Sequence, residues 1–141
     1  MPAPAGQLLD GTETILVAED QEEVRKYTRK LLEARGYVVL AASGGAEALQ
    51  VAARYQGVIH ALVTDVIMPG MSGRELAVTL LETRPRTKVL YVSGYADESL
   101  LPRGVLDQGM VFLQKPFAAV ALAQKVREVL AGDPARAGAA D

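Results

Sequence analysis

An α/β domain built on a doubly wound, five-stranded parallel sheet is the fold class that these 141 residues predict. Three observations point to it. Five short apolar runs alternate with segments whose apolar residues recur at helical spacing. Strands that bracket helices of this length join as parallel neighbours through right-handed crossovers. Ionisable residues close three of the apolar runs, and turn residues follow one of them at once, which is where open α/β sheets place their chemistry.

The first twelve residues, Met1 to Thr12, are rich in Pro, Ala and Gly without periodicity, and a flexible arm is expected there. The folded domain is expected over residues 13–131. Its first strand is Thr14–Ala18. From Glu22 to Ala34, Val24, Tyr27, Leu31 and Leu32 recur at helical spacing with charges between them, and Gly36 suits the helix end. A second strand is expected at Tyr37–Ala41, then a helix from Gly45 to Tyr55 carrying Ala48, Leu49 and Ala52. The third strand, Ala61–Thr64, leads into a turn and a helix from Gly73 to Thr83 through Leu76, Leu80 and Leu81, which Pro85 ends. Lys88–Val92 is the fourth strand. Pro102 and Gly104 interrupt the helix expected between Asp97 and Gln108, so it should be short or bent. Met110–Leu113 is the fifth strand, and a last helix runs from Ala118 to Leu130 through Val120, Leu122, Val126 and Val129. Residues 132–141 have no periodicity and read as a flexible tail, so no output domain is expected within this sequence.

Composition narrows the function. A net charge of −2 and scattered basic residues give no reason to expect nucleic-acid binding. The cluster Arg25, Lys26, Arg29 and Lys30 reads as a solvated helix face. Without cysteine, disulfides and thiolate metal sites are excluded. No apolar run approaches 18 residues and no signal-peptide pattern is present, so a cytoplasmic, non-membrane protein is expected. His60 is the single histidine and stands just before a strand, where it reads as a strand-entry residue. A kinase that carries its own phosphorylatable His is therefore not expected here.

The chemistry gathers at one edge of the predicted sheet. Glu19 and Asp20 follow the first strand, Asp65 closes the third, and Lys115-Pro116 follow the fifth. Taken alone, Glu19-Asp20 would read as helix-capping acids, which the helix macrodipole favours. Joined to Asp65, they read instead as oxygen ligands for Mg²⁺, which takes a few carboxylates and retains water and substrate phosphate. A carboxylate at the end of a buried strand is costly without a partner or a task. Three carboxylates with Lys115, a lysine between an apolar strand and Pro116, therefore make a candidate site for a divalent cation and a phosphoryl group, with Asp65 at its centre. Ser93-Gly94 is a common turn pair, yet its register with Lys115 favours a hydroxyl donor. Met68 and Met71 are expected to pack around the loop, and Gly73 to allow close helix packing.

These residues appear in a recognisable order. Glu19-Asp20, Asp65 with Met68-Pro69-x-Met71-x-Gly73, Ser93-Gly94 and Lys115-Pro116-Phe117 follow one another with 45, 28 and 22 residues between Asp20, Asp65, Ser93 and Lys115. From about Glu13 to Leu130 the chain resembles the receiver domain of two-component response regulators. Ser93 to Tyr95 and Phe112 to Phe117 resemble receivers attached to hybrid sensor kinases. The resemblance implies a flavodoxin-like strand order of 2-1-3-4-5 and a phosphoacceptor role, with transfer from a partner phosphohistidine to Asp65. It implies that Asp20, Asp65 and the backbone carbonyl of Ile67 bind Mg²⁺ directly and that Glu19 acts through water. Lys115 and Ser93 would meet the phosphoryl oxygens, and the Lys115–Pro116 bond would be cis. Phe112 matches an aromatic switch position, but it reads equally well as a core residue. The implied partners are a sensor histidine kinase or a phosphotransfer protein, with a homodimer through the helix at 97–108 and the fifth strand as a further expectation. A haloacid dehalogenase-type hydrolase would need an acid where Ile67 stands, and a receiver-like module without phosphorylation would usually have lost an acid or the lysine. Neither G-x-G-x-x-G nor a P-loop is present.

Overall fold

Runs that are apolar at every position suit strands covered on both faces, whereas alternation suits strands with one face in water. In the computed structural model, which describes residues 9–94 and 111–132, two largely apolar runs occupy the interior of one sheet. β1 (Thr14–Ala18) and β3 (Ala61–Asp65) are buried at all five positions. β2 (Val38–Ala42) and β5 (Val111–Gln114) are less covered and form the two edges, while β4 (Lys88–Ser93) lies inside β5. The order is β2-β1-β3-β4-β5 and every pairing is parallel. This is the expected 2-1-3-4-5 sheet.

The period-two geometry of a strand sorts these residues into two cores. Ile15 and Val17, Ala61 and Val63, and Leu90 and Val92 face one layer with α1 (Glu22–Ala34) and α4 (Ala119–Leu130). Leu16 and Ala18, Leu62 and Tyr91 face the other, with α2 (Gly45–Arg54) and α3 (Gly73–Thr83). Leu76, Leu80, Leu90 and Leu122 are each fully buried, worth roughly 1.5–3 kcal/mol apiece.

Local chemistry ends the helices. Gly36 adopts φ +102° after α1, a conformation open to glycine at little cost, and a Cβ there would strike the carbonyl of Gly11. The Tyr37 N–H donates back to the Leu32 carbonyl, so β2 begins at Val38, one residue later than the sequence predicts. At α3, Ser72 Oγ accepts from the Glu75 N–H while the Glu75 carboxylate accepts from the Ser72 N–H. This capping box is written in Ser72-Gly-Arg-Glu75 and was not among the expected features. Arg84, just past α3, donates to the carbonyls of Ala52, Tyr55 and Gly57 and ties the ends of α2 and α3 together.

Other boundaries move by one residue. β3 and β4 extend to Asp65 and Ser93, α2 ends at Arg54, and α4 starts at Ala119. Tyr27 and Val120, expected on inward stripes, are 44% and 50% exposed. Thr28 and Leu32 take the buried line of α1, and Tyr27 instead lies beside Phe117 with ring centroids 5.9 Å apart. His60 Nδ1 accepts the Thr14 N–H at 3.0 Å, a strand-entry contact. Among the described residues, no helix is long and apolar enough to cross a membrane. The helix expected at 97–108, the start of the fifth strand at Met110, and the terminal segments 1–8 and 133–141 lie outside the described residues.

Candidate functional site

Parallel strands present all their C-terminal ends at one edge, so residues far apart in sequence meet there. β1 delivers Glu19 and Asp20, β3 delivers Asp65, and the residue after β5 is Lys115. Backbone hydrogen bonds hold these ends in place: Glu19 N–H to Ala42 O, Val66 N–H to Val92 O, and Lys115 N–H to Ser93 O at 2.8 Å. The Lys115–Pro116 peptide bond is cis. Gly73 begins α3 directly against the end of β3. Its N–H donates to Val66 O, and a Cβ at this position would overlap the carbonyl oxygen of Asp65.

The side chains converge. Lys115 Nζ lies 2.8 Å from both Glu19 Oε1 and Asp65 Oδ1. Glu19 and Asp65 are 4% and 3% exposed, whereas Asp20 is open to solvent. One oxygen from each of the three acids lies within 4.8 Å of the others. Asp65 Oδ1 is buried, and its contact with the Lys115 ammonium is an ion pair.

Burial is the main reason that the Asp65 carboxyl is pushed well above the ordinary carboxylate range. The neighbouring Glu19 carboxylate adds to the shift and Lys115 offsets part of it. Like-charge repulsion from Glu19 is thus secondary to desolvation. For Lys115, burial acts to lower the pKa, but the paired Asp65 and Glu19 outweigh it and the net shift is upward.

The remaining candidates are spread around this centre. Ser93 is buried at the end of β4, beside the strand that carries Asp65. Ile67 stands in the turn after β3 with its side chain 40% exposed. Phe112 is not brought to the centre. It pairs in register with Tyr91 and stacks on it, with centroids 5.4 Å apart, on the α2–α3 side of the sheet. Met68 is buried in that same core and Met71 packs against it. Arg25 was missed from sequence. Its Nη1 donates to the Glu19 carbonyl at 2.9 Å, and an arginine six residues from an acid carries no signal of such a contact.

Residues 15–127 match the family model for the response regulator receiver domain. The chain belongs to that family. This receiver is 38% identical over 122 residues to the sensor kinase CckA of Brucella abortus (strain 2308), covering 86% of the chain but 13% of the kinase. It is 33% identical over 116 residues to the response regulator receiver protein CpdR of the same strain, covering 82% of the chain and 95% of CpdR. The crystal structure of the receiver domain from hybrid histidine kinase CckA superposes on this receiver with a TM-score of 0.63 at 36% identity, covering 83% of the chain and 98% of that domain. Among these relatives, the receiver spans nearly the whole of one and a small part of another.

Proposed function

We propose that this receiver accepts a phosphoryl group on Asp65 from a phosphohistidine on a sensor kinase or phosphotransfer protein in the cytoplasm. The observation that carries this reading is the buried Asp65 carboxyl, held 2.8 Å from the Lys115 ammonium. A carboxylate oxygen attacks phosphorus, the phosphorus–nitrogen bond of the donor breaks, and the imidazole leaves with the electron pair and takes up a proton. In such a transfer the protein contributes mainly alignment and charge. Lys115 provides the fixed positive charge at the phosphoryl oxygens. Ser93, one strand over, donates its hydroxyl to the new group, and the stacked pair Phe112–Tyr91 repacks in response.

The acids suit a hard divalent cation. An all-oxygen donor set fits Mg²⁺ better than a softer metal. Asp20 and Asp65, with the backbone carbonyl of Ile67, would hold the ion, and Glu19 would act through water. Bound there, Mg²⁺ offsets the repulsion between the carboxylate and the incoming phosphoryl group. The expected homodimer surface includes the helix at 97–108, outside the described residues.

The test is Asp65→Asn. Incubated with acetyl phosphate and Mg²⁺ and weighed by mass spectrometry, wild type should gain one phosphoryl group and the variant none. An equal gain in the variant would remove Asp65 from the role.

A further inference from the structure

We propose that a groove at the N-terminal edge of the sheet docks an acidic peptide segment of a partner protein, one that carries apolar side chains among its carboxylates. The inference is independent of the phosphoacceptor reading. The groove has a volume of about 610 Å³ and lies between the α2–β3 and α3–β4 connections, at the edge opposite to the acid centre. Hydrogen bonds tie its two sides together. Arg84 donates across it to the carbonyls of Tyr55 and Gly57, Thr87 Oγ1 donates to Ile59 O at 2.8 Å, and the Lys88 N–H donates to His60 O at 3.0 Å. A preformed groove avoids much of the ordering cost of binding.

The polar groups left over on its surface are one-sided. Arg86 is exposed and Lys88 half-buried, and neither side chain has an ion pair or hydrogen bond among the described residues. His60 Nδ1 accepts the Thr14 N–H, so the ring hydrogen sits on Nε2 and makes a third donor on the same surface. Glu13, the one acid of the lining, already accepts twice from Arg127. The groove therefore has donors and positive charge to give, which suits carboxylates. Its apolar surface comes from Val58, 64% exposed, with Pro85 and Leu130. A free phosphate would leave those side chains in water, and no Phe, Tyr or Trp lines the groove for a nucleic-acid base to stack on. An acidic peptide with apolar side chains uses both surfaces at once.

Amide NMR titrations of the whole chain test this. The probe is a short, end-blocked synthetic peptide of alternating Glu and Leu. Its controls are a Lys and Leu peptide, a Glu and Ser peptide, inorganic phosphate and a single-stranded DNA oligonucleotide. The Glu and Leu peptide should move the amide signals of Val58, His60 and Lys88 with a Kd below about 1 mM. Each control peptide should bind at least about fivefold more weakly, one for want of charge complementarity and the other for want of apolar cover. The double variant Arg86→Gln, Lys88→Gln should also lose at least about fivefold, with a urea melt to report that it folds. No movement at those amides, movement centred on Asp20 and Asp65 instead, or equal binding of either control peptide overturns the proposal. So does unchanged binding in the folded double variant, and so do phosphate or DNA acting at lower concentration than the peptide. If the double variant does not fold, the wild-type titrations decide by themselves.

Discussion

Asp65 is costly to the fold that carries it. The carboxyl is buried and its folded-state pKa lies above the ordinary value of 3.8. A group shifted in this direction favours the folded state at low pH, and that contribution is lost as pH rises from the unfolded value through the folded one. As pH rises through neutrality without metal, the buried side chain therefore takes away stability that it gives near pH 4. Asp65→Asn should be more stable than wild type in chelator at pH 8, by about 1–3 kcal/mol, the desolvation cost of a buried polar group. The advantage should shrink toward pH 4. Urea midpoints of both proteins across this range measure it, and an advantage that does not vary with pH would contradict the burial argument. Not all of the chemistry around Asp65 was legible in the sequence. The strand-end acids and Lys115 were, because their order and flanking turns mark one edge of a parallel sheet. The Glu19–Lys115 contact was not, since 96 residues separate the two and only the return of β5 brings them together.

At the scale of the element, α3 shows how a helix start can shape a site. Its capping box and its glycine do different work. Ser72→Ala removes one of the reciprocal hydrogen bonds and should cost about 0.5–2 kcal/mol while leaving the site in place. Gly73→Ala puts a methyl group against the Asp65 carbonyl and should cost about 1–3 kcal/mol as overpacking. It should also displace β3's end, so the Asp65 amide resonance should shift in Gly73→Ala and stay in Ser72→Ala. Urea melts and amide spectra of the two variants provide the comparison. The bounds of Glu22–Ala34 and Gly73–Thr83 were read to the residue, although Tyr27 leaves the inward stripe expected of the first. β2 was offset because Tyr37 looks like strand yet spends its N–H on the end of α1. No local pattern separates those two uses of one amide.

At the scale of the whole molecule, one polar contact links the two ends of the domain. Arg127 on α4 donates to both oxygens of Glu13 and to the Tyr37 hydroxyl, joining the last helix to the residues before β1 and β2. Burial acts to raise the Glu13 pKa, but hydrogen bonds from the backbone and from Arg127 overcome it and the net shift is downward. Such a group stabilises the fold above its unfolded pKa of 4.5, and that stability is lost as pH falls through the folded value. Arg127→Met should therefore cost about 1–2 kcal/mol at pH 7, since the contact is only partly screened by solvent. The penalty should narrow by pH 3. Chemical melts at the two pH values test this, and an equal penalty at both would mean that packing of the arginine stem, not the charge, is what matters.

The position of Lys115 also has a consequence for synthesis of the chain. The ammonium arrives 50 residues after Asp65, carried by the outermost strand. A ribosome that has released the chain only as far as β4 has made all three acids but not their counter-charge, and has left β4 with an unpaired edge. Such an edge invites pairing with other chains, and contacts this distant in sequence form slowly. Arrival of β5 pairs the open side of β4 and brings the ammonium to Glu19 and Asp65 in one event. In this receiver the docking of β5 thus completes both the sheet and the ion pairs at its edge.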